Sequence, residues 1–309
     1  MKVYSIDTFQ PLSSPIVATI GMFDGVHHGH RYLINQLMTQ TKRQGAQSMV
    51  LTFTSHPKQL FAPHLPLSLL NSVEEKVNLL AQCGVENCIL LNFDKQLAEM
   101  SAAAFTEKIL HCRLNIQTLL IGYDNHFGKG RKENFDEYVQ YGKRFGIDVI
   151  KTAPYYNNGI TVSSSLIRHY LSNGELEKAN QCLGYDYNFT GKVIKGFQIG
   201  RTLGFPTANL VYPSNKLLPA YGAYAVEVEI DNLVKKGILN IGTRPTVHAQ
   251  GNIAVEAHIF DFSESIYGKE IIVRLKHYLR PEYRFASTEK LQRQIQKDKE
   301  VALLKLQDA

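Results

Sequence analysis

The stretch VATIGMFDGVHHGHRYLINQLM, residues 17–38, decides the fold of the first half of the chain. It begins as an apolar strand, passes through a turn rich in glycine, and continues as a helix. Glycines let the backbone approach a ligand closely, and the free N–H groups at the start of a helix bind phosphate well. The pattern therefore predicts a nucleotide site between strand and helix, formed by Gly21, Phe23, Asp24 and Gly29.

Two histidines, His27 and His30, stand in H-x-G-H spacing at the start of this predicted helix. Their imidazoles can donate hydrogen bonds to a phosphate and stabilise charge that develops on it in a transition state. The alternative is a surface turn that carries its histidines for no catalytic reason. This spacing directly after a buried strand favours the catalytic interpretation, with a phosphate-bearing ligand.

Strand segments alternate with helical segments through the rest of this half. Strands are predicted over residues 16–20, 48–53, 87–93, 118–122 and 148–152. Helices are predicted over 72–84, 101–113, 132–145, 163–171 and 174–183, the first of them opened by a capping box of Ser72 and Glu75. The alternation is typical of a parallel, doubly wound sheet of the Rossmann-like α/β class.

The second half is rich in short strands. They are predicted over residues 189–195, 207–211, 223–230, 233–240, 253–262 and 270–278. A two-residue hairpin turn is expected at Asp231-Asn232, and a last helix over 288–306 carries an apolar stripe. Strands without intervening helices favour a closed, six-stranded antiparallel β-barrel with a terminal helix. We therefore predict two domains, 1–184 and 185–309.

Composition narrows the class of partner. The chain has 309 residues, 44% hydrophobic and 20% charged, and a formal net charge of +6, which suits anionic ligands. No long basic run occurs, so a nucleic-acid groove is disfavoured. The start of the chain lacks the apolar run of a signal peptide, no stretch is long enough for a membrane span, and the four cysteines form no C-x-x-C pair. We expect a cytoplasmic protein without nucleic-acid or membrane partners.

The H-x-G-H turn, taken with VSSSLIR at residues 162–168, resembles the nucleotidyltransferase superfamily, which transfers a nucleoside monophosphate from a triphosphate to a phosphate-bearing substrate. A serine-rich helix start is an anion site by its hydroxyls, free N–H groups and dipole. The residues concerned are Ser163, Ser164, Ser165 and Arg168, the last completing a phosphate clamp. Taken alone, this motif would be a plain helix cap.

Two further stretches, LTFTSHPKQLF at 51–61 and IGYDNHFGKGRKEN at 121–134, resemble the flavin-adenylating branch of that superfamily. The resemblance implies a flavin pocket lined by Phe53, His56, Pro57, Asp124, Phe127 and Gly128. Asn125 stands where that branch has an aromatic residue. An ordinary loop at the end of a strand is the alternative.

From residue 191 the sequence GKVIKGFQIGRTLGFPTANL resembles the riboflavin kinase family, and four later blocks match it in order as far as residue 287. The resemblance implies that ATP is bound by Gly196, Gly200, Arg201, Gly204, Pro206, Thr207 and Asn209. Thr207 and Asn209, at i and i+2 on a strand, offer oxygen ligands suited to Mg²⁺. The resemblance also makes Glu256 the general base and implies flavin-lining roles for Asn240, Arg244, Tyr267, Arg280 and Phe285.

Both resemblances together imply a bifunctional enzyme that phosphorylates riboflavin to FMN with ATP and adenylylates FMN to FAD with a second ATP, using Mg²⁺ and with weak self-association possible. Two alternatives stay open on the sequence. One is a nucleotidyltransferase that acts on another phosphorylated metabolite and carries a degenerate barrel. The other is a nucleic-acid-binding protein, which the small barrel and basic charge would suit.

Overall fold

The chain folds into two compact units. The computed structural model describes residues 1–55, 60–61, 68–157, 160–196, 200, 204–243 and 253–307. One unit is Met1–Leu67 with Asn71–Ser163, and the other is Ser68–Leu70 with Ser164–Ala309. The second unit thus includes the two helices that the sequence analysis assigned to the first domain.

The first unit contains a parallel sheet, as the strand–helix alternation predicts. Its strands are β1 (Lys2–Ser5), β2 (Ile16–Ile20), β3 (Gln47–Phe53), β4 (Asn87–Leu91), β5 (Thr118–Ile121) and β6 (Asp148–Lys151), in the order β1-β4-β3-β2-β5-β6. The five predicted strands are present, with ends within two residues of those expected. The edge strand β1 was not predicted, because it is short and mostly exposed and so lacks an apolar run.

Helices connect these strands. They are α1 (His28–Gln44), α2 (Val73–Gln82), α3 (Lys95–Ala98), α4 (Ala102–Phe105) and α5 (Phe135–Arg144), with a 3-10 turn at Lys129–Arg131 and a short hairpin of β7 (Tyr156–Asn157) and β8 (Ile160–Thr161). The predicted capping box at the start of α2 is confirmed: Ser72 Oγ accepts from the N–H of Glu75, and the Glu75 carboxylate accepts from the N–H of Ser72.

Two helix predictions need correction. The helix expected over 101–113 is α-helical only through α4 and continues as a π-helix over Thr106–Arg113. Thr106 Oγ1 donates to the carbonyl of Ala102 at 2.8 Å, a side-chain hydrogen bond of the kind that disturbs regular α-helix geometry. The helix expected from residue 132 begins at Phe135, because the Asn134 side chain caps it by accepting from Glu137 N.

The second unit is built on a closed antiparallel barrel, as predicted. It begins with helices α6 (Ser164–Ser172) and α7 (Leu176–Leu183). The barrel strands are β9 (Asn188–Ile194), β10 (Ala208–Val211), β11 (Gly222–Ile230), β12 (Leu233–Thr243), β13 (Ile253–Ile259) and β14 (Glu270–Pro281), in the order β10-β13-β12-β11-β14-β9. Helix α7 contacts the barrel through Asn180, whose Nδ2 donates to the carbonyl of Leu275 at 3.0 Å.

Local sequence determines the barrel register. Asp231 and Asn232 have φ values of 49° and 67°, the left-handed conformation that a two-residue type I′ turn requires, and Ile230 pairs with Leu233 across it. Outside the barrel lies the last helix, α8 (Thr288–Lys305). Ala302 and Leu306 pack against Ala225, Ile238 and Phe260, so the predicted apolar stripe covers one side of the barrel.

A short segment of the second unit comes from earlier in the chain. Leu69 forms a parallel bridge with Lys216: its N–H donates to the carbonyl of Asn215 at 2.6 Å, and its own carbonyl accepts from Leu217 N at 2.8 Å. Lys216 Nζ donates to the carbonyl of Leu70 at 2.6 Å. Across the described residues, every helix is too short or too polar to cross a membrane.

Two candidate active sites

The first candidate site lies at the carboxyl edge of the parallel sheet. The chain passes from β2 to β3 and β4 on one side and then returns to β5 and β6 on the other, so the crevice between β2 and β5 is a topological switch point. Ligands of open α/β sheets bind in such crevices. Asn125, in the loop after β5, joins the two sides, because its Nδ2 donates to the carbonyl of Ile20 at the end of β2.

The turn after β2 has an unusual backbone. Phe23 and Val26 have φ values of 50° and 34°, although neither is glycine, and Gly25 has a φ of 89°. Non-glycine residues persist in this conformation only where the surrounding structure holds them. A Cβ at Gly21 would lie 3.0 Å from the Phe23 ring, so glycine is needed there for the ring to pack under the turn.

The two predicted histidines are stacked on each other. His27 is the N-cap of α1, its Nδ1 accepts from the N–H of His30 at 3.4 Å, and the ring centroids are 3.7 Å apart. Gly29 is close by, since a Cβ there would lie 3.2 Å from the His27 ring. Burial, with smaller contributions from His27 and Lys76, holds the pKa of His30 well below its ordinary value of 6.5. A neutral His30 imidazole, stacked on His27, therefore lies at a helix N-terminus.

The buried Nδ1 of His30 lacks a hydrogen-bond partner among the described residues. A buried nitrogen of this kind costs free energy unless a ligand or water satisfies it. The His30 Nδ1 atom is therefore suited to bind an oxygen-rich ligand at the turn.

Hydrogen bonds from helix α2 and the residues just before it hold the turn in place, and the sequence analysis did not predict these contacts. Asp24 Oδ1 accepts from Asn71 N at 3.3 Å, and Lys76 Nζ donates to the carbonyls of Phe53 at 2.7 Å and Met22 at 3.2 Å. The signal in the sequence was helical periodicity, which puts Lys76 on the same face as the buried Leu79 and Leu80.

The serine-rich motif begins beside the histidine turn. A Cβ at Gly29 would lie 3.4 Å from the carbonyl of Val162, the residue before Ser163. Ser164 and Ser165 form the first turn of α6, which belongs to the second unit. Arg168 lies on the same helix, and its Nε donates to the carbonyl of Ser68 at 3.3 Å.

The predicted flavin-lining residues of the first unit lie in different environments. Phe53 ends β3, with its ring 5.7 Å from that of Phe93, and Asp124 is exposed. Phe127 is instead buried in the core, where it stacks on Tyr138 at 4.4 Å. Gly128 has a φ of 94°, and a Cβ there would lie 2.6 Å from Ala102 N. His56 and Pro57, like the side chain of Arg131, lie outside the described residues.

The second candidate site is a row of polar side chains across three barrel strands. Glu256 on β13 is in register with Asn209 on β10 and with Asn240 on β12. Their sequence neighbours Leu239 and Ala257 are fully buried in the barrel interior. Because side chains alternate along a strand, the row faces outward. The main-chain pairing thus places the predicted base directly beside a predicted magnesium ligand.

Two glycines allow the main chain to pass close to the polar side chains of this row. A Cβ at Gly196 would lie 2.3 Å from Asn209 Nδ2, and one at Gly200 would lie 3.2 Å from Thr207 Oγ1. Strand β10 begins at Ala208, so Thr207 precedes the strand rather than lying in it, a correction to the prediction. The cause is the loop contact of Phe205, whose N–H donates to the carbonyl of Gly200 at 2.8 Å.

Other predicted residues surround the row. The carbonyl of Pro206 accepts from His258 Nδ1 at 2.8 Å, and Gly204 has a φ of 81°. Tyr267 is partly exposed, with Lys195 Nζ 6.0 Å from its ring. Arg201 and Arg244 lie outside the described residues.

Arg280 continues the row on β14 through its register with Ala223, which in turn pairs with Asn240. Its guanidinium binds Asp298 of α8, at 2.8 Å from Nη2 to Oδ2 and 3.0 Å from Nε to the same oxygen, and its Nη1 donates to the carbonyl of Pro281 at 3.0 Å. The rings of Tyr283 and Phe285 lie 5.4 and 5.7 Å from it. The sequence analysis named Arg280 and Phe285 but missed the buried Asp298.

Comparison with known families accounts for both units. The FAD synthetase family model matches residues 10–166, and the riboflavin kinase family model matches residues 183–306. A bifunctional riboflavin kinase/FMN adenylyltransferase of Escherichia coli (strain K12) is 37% identical over 91% of this chain and 90% of its own length. The chain belongs to the bifunctional riboflavin kinase/FMN adenylyltransferase family. It is an enzyme that converts riboflavin to FMN and FMN to FAD with ATP.

Other relatives agree with this membership. The bifunctional riboflavin kinase/FMN adenylyltransferase of Haemophilus influenzae is 36% identical, covering 92% of each chain. A crystal structure described as a macrolide-efflux protein from Streptococcus pneumoniae has a TM-score of 0.88 and 29% identity, covering 97% of this chain and 98% of its own. Its fold is that of this bifunctional enzyme throughout. The family membership removes the alternatives of a different metabolite and of a nucleic-acid-binding protein.

Proposed function

We propose that the two activities reside at the two sites described above, FMN adenylylation at the histidine turn and riboflavin phosphorylation at the polar row of the barrel. In this proposal residues 1–184 serve adenylyl transfer and 185–309 serve the kinase. The partners are the small molecules riboflavin, FMN and ATP. Nucleic acid and membranes play no part in the proposal, and weak self-association is compatible with it.

The stacked pair His27 and His30 is the observation that carries the first assignment. A phosphate oxygen of FMN attacks the α-phosphorus of ATP, and pyrophosphate leaves. Imidazoles at a helix N-terminus can donate N–H hydrogen bonds to the phosphate oxygens and stabilise the charge that builds on them. The stretch with Ser163, Ser164, Ser165 and Arg168 is a further phosphate-binding candidate, as the resemblance to the superfamily implies. No protein nucleophile is required, so the site works by positioning and charge stabilisation.

The register of Glu256 between Asn209 and Asn240 carries the second assignment. Glu256 accepts the proton of the ribityl 5′-hydroxyl as that oxygen attacks the γ-phosphorus of ATP and ADP leaves. Asn240 lies on the exposed side of the base, where the flavin substrate would approach.

Thr207 and Asn209 suit the magnesium ion that the family implies. They offer a hydroxyl and an amide oxygen, the hard ligands that Mg²⁺ prefers, and the glycines at 196 and 200 leave room for backbone beside them. The described residues contain no cluster of three or more histidine, cysteine or acidic side chains that would form an all-protein cage. Mg²⁺ held there would take its other ligands from water and ATP, and it would neutralise phosphate charge.

Selective loss of one activity tests the proposal. The protein is incubated with riboflavin and Mg-ATP, and FMN and FAD are separated by chromatography. His30→Ala should abolish FAD formation and spare FMN formation, while His28→Ala, a neighbour outside the stacked pair, should retain both. Glu256→Ala should abolish FMN formation from riboflavin but still convert added FMN to FAD, and Glu270→Ala, at an exposed position at the start of β14, should behave as the unmodified chain. A folded His30 or Glu256 variant that loses both activities would refute the two-site assignment.

A further inference from the structure

Lys76 is a buried lysine directly behind the histidine turn. It lies in the first half of α2 and is only 5% exposed. Lysine side chains are rarely buried this fully without a partner for the ammonium group. Here Nζ donates to the carbonyl of Phe53 at 2.7 Å and to that of Met22 at 3.2 Å, so one ammonium group joins the end of β3 to the start of the turn.

Helix α2 holds the turn at two points. The Met22 carbonyl accepts from Lys76 and also from Thr52 Oγ1 at 3.1 Å. Two residues later, Asp24 accepts from Asn71 N, immediately before the cap of α2. The left-handed residues begin at Phe23, between these two points. A strained turn needs such restraints, because without them it relaxes toward ordinary backbone geometry and carries its side chains with it.

The ammonium group also contributes charge to the site. The titratable groups that interact with it are Asp24 of the turn, His30 in the first turn of α1, and Cys88 on β4. Burial lowers the pKa of Lys76 to about 8, although the Asp24 carboxylate opposes this shift. Lys76 in turn contributes to lowering the pKa of His30. Near neutral pH the turn therefore has a buried positive charge on Lys76 and a neutral imidazole on His30.

We propose that Lys76 is a positioning residue of the adenylyl-transfer site, which holds the histidine turn in its strained conformation and supplies a buried positive charge that favours ATP phosphates. The inference rests on the proposed assignment of adenylyl transfer to this turn. A purely structural role would change folding but not ATP recognition in particular.

Three variants separate these roles. Lys76→Met removes the charge and both hydrogen bonds with little change in shape, Lys76→Arg keeps a cation, and Lys42→Met on the exposed face of α1 is the control. For FMN adenylylation, Lys76→Met should lower kcat/KM for ATP about 10- to 100-fold, as expected for loss of charged hydrogen bonds, and Lys76→Arg should recover most of it. Riboflavin phosphorylation, measured on the same samples, should stay within about twofold of the unmodified chain.

The result for His30→Ala distinguishes the possible failures. If His30→Ala abolishes FAD formation while Lys76→Met keeps kcat/KM for ATP within about twofold, the inference for Lys76 is overturned and the site assignment stands. If His30→Ala forms FAD normally, the assignment of the turn itself fails.

A measurement on the unmodified chain covers the case in which Lys76→Met does not fold. With ¹⁵N-labelled lysine, the Lys76 ammonium resonance is followed by NMR against pH, with and without ATP. Bound phosphates should raise the pH at which Lys76 loses its proton, because an anion nearby favours the charged form. An unchanged titration in saturating ATP would overturn the proposal.

Discussion

Replacing Asp298 by alanine is expected to destabilise the second unit by about 3–5 kcal/mol, the usual cost of removing one partner of a buried ion pair. The Arg280 and Asp298 side chains are only 13% and 6% exposed. Asp298 accepts from Arg280 through both carboxylate oxygens and from Gln294 Nε2 at 2.7 Å. The variant leaves the guanidinium buried beside aromatic rings without its counter-charge, and it opens space under α8.

For a unit of this size the loss corresponds to a fall in Tm of about 10 °C. The chain contains no tryptophan, so differential scanning calorimetry with far-UV circular dichroism is the suitable assay. The matched control is Lys269→Ala, which breaks an ion pair with Asp231 in the same unit whose side chains are 41% and 64% exposed. Solvent screens an exposed pair, so this control should change Tm little.

A double variant tests the reasoning more strictly. Arg280→Met combined with Asp298→Leu removes both charges, so no unpaired ion is left buried, and most of the lost stability should return. The argument is refuted if Asp298→Ala changes stability no more than Lys269→Ala does, or if the double variant loses as much as the two single variants added together. Since Arg280 continues the polar row, Asp298→Ala should also weaken riboflavin phosphorylation and leave FMN adenylylation intact.

Three more outcomes are expected. His30 stays neutral in the folded chain, but in the unfolded chain it gains a proton below its ordinary pKa of 6.5. The free energy of unfolding is therefore smaller below that pH than above it. Urea titrations at about pH 7 and about pH 5 should therefore show a smaller fall in the free energy of unfolding for His30→Gln than for the unmodified chain. Gly128→Ala should destabilise the first unit by at least about 2 kcal/mol in the same assay, because its Cβ would lie 2.6 Å from Ala102 N at a φ of 94°. Gly196→Ala should displace the Asn209 amide and lower riboflavin phosphorylation on the order of tenfold without affecting FMN adenylylation.

The fold was largely predictable because its signals are local. The capping box at Ser72, the turn at Asp231-Asn232 and the alternation of strand with helix each act within a few residues, and each is confirmed. The polar edge strand β1 and the π-helix over Thr106–Arg113 escaped prediction. Edge pairing gives β1 no apolar pattern, and the π-helix geometry depends on a side-chain hydrogen bond that hydrophobic spacing does not reveal.

The sequence predicted the motifs of the two sites but not the burial and the hydrogen-bond partners of their residues. Lys76 and Asp298 both occupy positions of an apolar helical stripe. The hydrophobic pattern alone does not show that a charged residue at such a position is buried with a partner. Their partners, a carbonyl pair and Arg280, come from distant parts of the chain. Conversely, Phe127 stands in a loop that resembles a flavin pocket, yet its ring is buried against Tyr138. Burial depends on tertiary packing, which the order of residues does not state.

The hairpin turn at Asp231-Asn232 sets the register in which β12 pairs with β11. Asn240 lies on β12, which that turn pairs with β11. A strand has only two faces, so a one-residue slip of β12 against β11 would send Asn240 into the barrel interior and bring Leu239 to the surface. The two-residue turn therefore fixes which face of β12 carries Asn240, although it lies eight residues away in the chain from that side chain.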